Sequence, residues 1–177
     1  MASANPYRQH PRASSQRGLP ALGFEVVPPD ELEVTPIAEG PTLIRCSEAG
    51  VGELEISLFG GGLIIDREGV LHSRASDEAG APAVRVSLPG ASGYRANKVE
   101  SGPLPYLYVF AVAPRDIGID AGVMVTVRCK TPTWAAADAV LHSLRLITRI
   151  GRVPTQPAND DSGVTPIPLP VIGRKDD

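Results

Sequence analysis

Two cysteines, three histidines, a run of three glycines and a pair of aspartates are the residues whose types suggest chemistry. Cys46 and Cys129 stand in matching contexts, Ile44-Arg45-Cys46 and Val127-Arg128-Cys129. Two thiols suit a redox pair or part of a zinc site. Their separation matches no zinc spacing, and no third ligand lies near either in sequence. Both fall on the apolar parity of strand-like segments, where a free cysteine packs as a small hydrophobe. His10, His72 and His142 are the only histidines, and two of them precede serines, Ser73 and Ser143. Neighbouring residues on a helix do not face each other, so His142 is not placed as a base for Ser143. No GxSxG elbow supplies a nucleophile elsewhere. Gly60-Gly61-Gly62 lacks the Lys and Ser/Thr of a phosphate loop and is expected to be a bend or bulge between strands. Asp116 and Asp120 are four apart in RDIGIDAG, with too few further oxygens for a hard cation, and are expected in a solvated turn. No catalytic residue, metal ligand or cofactor is therefore assigned.

Half of the chain's aromatic residues, Tyr94, Tyr106, Tyr108 and Phe110, fall within one short stretch. Tyr and Phe cover large areas with few rotors and are favoured at protein interfaces. The alternative is core packing for Phe110 and one tyrosine. These four are the candidate protein-interface residues.

The chain has 177 residues, 42% hydrophobic and 21% charged, enough for one domain with a sizeable core. A net charge of -3 argues against general nucleic-acid binding, which leaves a basic footprint. No apolar run approaches the ~20 residues that span a bilayer, and no secretory h-region opens the chain. Residues 1–24 carry Arg8, Arg12 and Arg17 with no acid, as transit peptides do, but Pro6, Pro11 and Pro20 break the helix such a leader needs. A cytoplasmic protein without direct membrane insertion is expected.

Three zones position these residues. Residues 1–40 form a Pro-rich N-terminal arm, 41–150 an α+β domain, and 151–177 a Pro-rich tail whose PIPLPVI suits polyproline II geometry. In the middle zone, Glu53–Phe59 alternates as a half-buried strand. A short strand at Leu63–Ile65 and a turn at Asp66-Arg67-Glu68-Gly69 follow. Val84–Leu88 and Val123–Cys129 alternate too. Leu104–Val112 is apolar on both faces, as in a central strand or one at an interface. One helix is expected: Thr131 as cap, Pro132 at the first position, then a stripe of Trp134, Ala137, Val140, Leu141, Leu144 and Ile147, stopped by Gly151. Strands followed by a helix, without β–α alternation, give a mostly antiparallel sheet with a C-terminal amphipathic helix packed on it.

The segment VMVTVRCKTPTWAAADAVLHSLRLI resembles the end of PsbP-like and DcrB-like domains, where a last strand leads through a polar turn into a helix closing on a Ser-Leu pair, here Ser143-Leu144. The resemblance covers about residues 42–148. It implies a twisted antiparallel sheet flanked by helices. It also implies a non-catalytic role, since that family supplies accessory subunits, secretion adaptors and lipoproteins. No helical period precedes the strands, so a second helical layer is not expected here.

The sequence thus points to a non-enzymatic accessory or structural subunit, tied by its arms to protein partners in a larger complex. A PsbP/DcrB-like adaptor working without its arms is the alternative. An enzyme with a loop-built site using Asp66, His72 or Asp116 ranks last.

Overall fold

The computed structural model describes residues 6–9, 21–39, 42–60, 66–115 and 121–149. The chain runs β1 (Tyr7–Gln9), β2 (Ala21–Val26), β3 (Glu33–Pro36), β4 (Thr42–Glu48), β5 (Gly52–Gly60), α1 (Arg67–Ala79), β6 (Ala83–Leu88), β7 (Ala91–Val99), β8 (Tyr106–Pro114), β9 (Ala121–Cys129), α2 (Ala135–Ser143) and β10 (Arg145–Arg149). Seven strands form one antiparallel sheet in the order β3-β4-β5-β9-β8-β7-β6, and β1-β2-β10 form a small second sheet. Among the described residues no helix is long and apolar enough to cross a membrane.

The large sheet has two apolar faces because its central strands are apolar at both parities. In β8, Tyr108, Phe110 and Val112 enter the main core, while Leu107, Val109, Ala111 and Ala113 lie in a second core beneath α1. The main core is closed by β2, through Phe24 and Val26, and by α2, through Ala137, Val140 and Leu141, all at most 1% exposed. β5 shows the half-buried alternation expected of it: Leu54 and Ile56 are buried and Glu53 is exposed.

Several expectations are corrected. Asp66-Arg67-Glu68-Gly69 is not a turn between strands; it opens α1. The Asp66 carboxylate accepts the Gly69 N–H at 3.0 Å as an N-cap. The helix ends at Gly80, at φ +65°, whose N–H bonds the Ser76 carbonyl. Its buried stripe is only Leu71, Ala75 and Ala79, which leaves a faint hydrophobic period. A helix therefore packs on each face of the large sheet.

The C-terminal helix is shorter than expected. It begins after Trp134 with no side-chain cap, and the Thr131 hydroxyl bonds the Thr133 carbonyl instead. It stops at Ser143, and Arg145–Arg149 is strand β10, antiparallel to β2 with Leu146 opposite Phe24. The stripe satisfies both periods over its last residues, and β2's open edge selects the extended one.

The third correction concerns residues 21–39, read as part of an arm. β2 lies in the core and β3 is an edge strand of the large sheet. Leu63–Ile65, Asp116, Asp120, Gly151 and the tail 151–177 lie outside the described residues.

Candidate protein-docking site

The four aromatic candidates do not form one surface. Phe110 is 0% exposed and Tyr108 is 5% exposed, both in the main core. The Tyr108 hydroxyl donates to the Pro132 carbonyl at 2.9 Å, and burial pushes its phenol up to about 12 against the charge of nearby Arg95. Tyr106 is half-buried at the rim of the same core. Tyr94 lies on the opposite face, half-buried under α1, where its hydroxyl donates to Glu68 Oε2 at 3.1 Å. Its phenol is also raised, chiefly by burial and then by the Glu68 carboxylate. Cross-strand alternation separates them: Tyr94 sits opposite Ala111, one residue off the parity of Tyr108 and Phe110.

The residues considered for chemistry have structural roles. Asp66 caps α1. The His72 ring meets Tyr94 edge-on at 5.2 Å. The exposed His142 bonds through Nδ1 to the Asp138 carbonyl at 2.7 Å. Cys46 and Cys129 are buried free thiols, each pushed up to about 11 by desolvation. Among the described residues no group of three or more His, Cys, Asp or Glu is placed to hold a metal ion. Two arginines read by no motif tie the end of the sheet together. Arg115 donates to the Ala91 and Leu88 carbonyls, and Arg67 to those of Ala113 and Pro114.

The concave surface lies elsewhere, at the corner between β2 and β3. Val27-Pro28-Pro29 leaves β2 extended, because each proline fixes its own φ and biases the residue before it away from helix. A turn follows, closed by the Leu32 N–H donating to the Pro29 carbonyl at 3.1 Å, and Leu32 drops into the core at 6% exposed. The root of the corner is held by Ser143. Its hydroxyl accepts the Val27 N–H at 2.8 Å and donates to the Val140 carbonyl at 2.8 Å. The Ser-Leu pair that marked the helix end thus has two jobs: Ser143 ties α2 to β2, and Leu144 is buried in the core.

A groove lies on each side of this corner. The first, of about 330 Å³, is lined by Pro6, Tyr7, Pro28, Pro29, Leu32 and Val34 with Asp30 at its rim. The second, of about 410 Å³, is lined by Val27, Pro28, Pro29, Glu31, Asp30 and Ala139. Both are shallow and open to solvent. Tyr7 forms one wall: its ring packs on Phe24 at 5.8 Å, and its hydroxyl reaches the Leu43 carbonyl at 3.5 Å. Val34, 37% exposed, forms the other on the edge strand.

The backbone of that edge is only partly open. The Ile37 N–H donates to the Leu43 carbonyl, so in this register Thr35 and Glu33 also pair by hydrogen bonds with β4. Val34 and Pro36 therefore face outward, and Pro36 has no N–H to offer. Sequence reasoning missed this corner because its prolines signalled an arm. The usable signal was the alternation of Leu22, Phe24 and Val26 just before them.

No family model matches the chain, and no curated protein matches it. Among solved structures, the chain is similar to the solution structure of cyanobacterial PsbP from Synechocystis sp. PCC 6803. The identity is 11% and the TM-score 0.43, over 82% of this chain and 95% of that one. This is the PsbP-like resemblance read from the sequence, found again at a distant level; the DcrB-like side of it stays an expectation.

Proposed function

We propose that this chain is a non-enzymatic accessory subunit that binds a partner protein at the Pro28 corner. The observation that carries the reading is the pair of open grooves flanking Pro28-Pro29, one of them walled by exposed Val34 on an edge strand. Shallow grooves with apolar and proline walls suit an extended protein segment better than an enclosed small substrate. The corner is tied to α2 through Ser143 and anchored by buried Leu32, so such a segment meets a preformed surface. The Pro-rich segment after Arg149 is a second means of attachment in this reading, and a cytoplasmic setting belongs to it as well. No cofactor and no nucleic acid is part of it.

Native pull-down from the source cells tests the proposal with the full chain, its Val34→Asp variant and a chain truncated after Arg149. Removing residues 1–38 is not a usable control, because it deletes β2 from the core. Loss of a stoichiometric partner in Val34→Asp supports the corner. Loss only on truncation moves attachment to the tail, and recovery of no partner by the full chain argues against an accessory role.

A further inference from the structure

We infer that the segment docked at the Pro28 corner is basic: an extended peptide that sets an aliphatic or proline side chain between Tyr7 and Val34 and carries Lys or Arg on either side. The inference rests on the corner being a protein-docking site and names the chemistry of its partner. Residues 21–39 contain Glu25, Asp30, Glu31, Glu33 and Glu39 and no Lys or Arg. Glu25 is engaged by Arg8 across β1 and β2. Asp30 and Glu31 line the grooves and are exposed, and no ion pair among the described residues engages them.

Two charge clusters on the large sheet are answered locally. Arg45 pairs with Glu55 at 2.6 Å on β4 and β5, and Glu68 sits with Arg67 and Arg85 on the α1 side. The corner combines apolar walls with uncompensated negative charge. An acidic or phosphorylated segment would meet like charge there, and a neutral one would leave that charge unused. Pro36 shortens the pairing a partner strand could make along β3, so side chains and charge carry the discrimination rather than backbone bonds. The carboxylates are solvent-exposed, so their attraction is screened by salt beyond about 8 Å at physiological ionic strength.

The test uses the full chain and fluorescence anisotropy with three labelled peptides. One alternates Lys with Leu and Pro; the others replace every Lys by Gln or by Glu. The Lys peptide is expected to bind about threefold to tenfold more tightly than the Gln peptide, a margin that closes at high salt. In the Asp30→Lys/Glu31→Lys double variant the preference should invert toward the Glu peptide. Both sites are exposed, and circular dichroism checks that the variant folds. If the Gln or Glu peptide binds wild type as tightly as the Lys peptide, or charge reversal changes nothing, the basic-segment inference is overturned. The docking reading survives that result when Val34→Asp weakens whichever peptides bind. If no peptide binds, both are overturned.

Discussion

Replacing Ser143 by Ala should loosen the corner without altering any residue on its surface. The hydroxyl is the acceptor for the Val27 N–H and the donor to the Val140 carbonyl, each at 2.8 Å. Leaving a half-buried backbone N–H unpaired costs about 1–3 kcal/mol, and the better helix propensity of Ala returns up to about 0.5 kcal/mol. The Val140 carbonyl lies in the last turn of α2, where water can replace a lost donor. A net loss of about 1–2 kcal/mol follows, or roughly 3–6 °C in Tm for a domain of this size. Urea titration gives the stability change, and native-state hydrogen exchange reads the Val27 amide directly. Ser76→Ala is the control: its hydroxyl makes only a 3.4 Å contact on the exposed side of α1, and it should stay within about 0.5 kcal/mol. An unchanged urea midpoint together with unchanged Val27 protection would refute the reasoning.

Phe24→Ala should cost about 3–5 kcal/mol in urea unfolding, because a fully buried ring leaves the main core; a change under about 1 kcal/mol would mean that β2 is not part of it. Gly93→Ala should lower stability by about 1–3 kcal/mol or more, since a Cβ there meets the Ala111 carbonyl on the neighbouring strand, which cannot swing aside. Cys46 and Cys129 should resist a thiol reagent in the native state and react fully after unfolding. Their raised native values mean that the folded chain keeps protons the unfolded chain gives up. Stability is therefore full below about pH 9 and is lost progressively toward about pH 11. Each thiol contributes on the order of 1 kcal/mol of that loss at pH 10, so the drop in urea midpoint between pH 7 and pH 10 should shrink in Cys46→Ala.

What the sequence disclosed follows from how strongly each element is patterned. β5, β6 and β9 carry an alternating pattern and β8 is apolar at both parities, so the strands were readable, and their burial too except at Val84, which is 46% exposed near the start of the edge strand β6. Strand β7 was masked by Gly93, which looks like punctuation but is needed where β7 approaches Ala111. Helix α1 was hidden because two alanines and one leucine make its buried face, and its capping Asp66 also signals a turn. The end of α2 was ambiguous because Leu144 and Leu146 fit a helix stripe and a strand alternation alike; pairing with β2 decides it, and that pairing spans more than a hundred residues. The docking corner was the least legible part. Pro28, Pro29 and Pro36 carry the composition of a disordered arm, yet each sits where a strand ends or an edge is blunted. The aromatic cluster misled for the opposite reason: closeness in sequence does not survive the pleat, which sends Tyr94 to one face and Tyr108 and Phe110 to the other.

The most direct test of the central claim is site-specific photocrosslinking in the source cells. A photoreactive side chain is placed at Val34, on the groove wall, or at Val99, which is 67% exposed at the end of β7. The account predicts a discrete crosslinked protein partner from position 34 and none from position 99. Crosslinks arising from position 99 while position 34 gives none would contradict it.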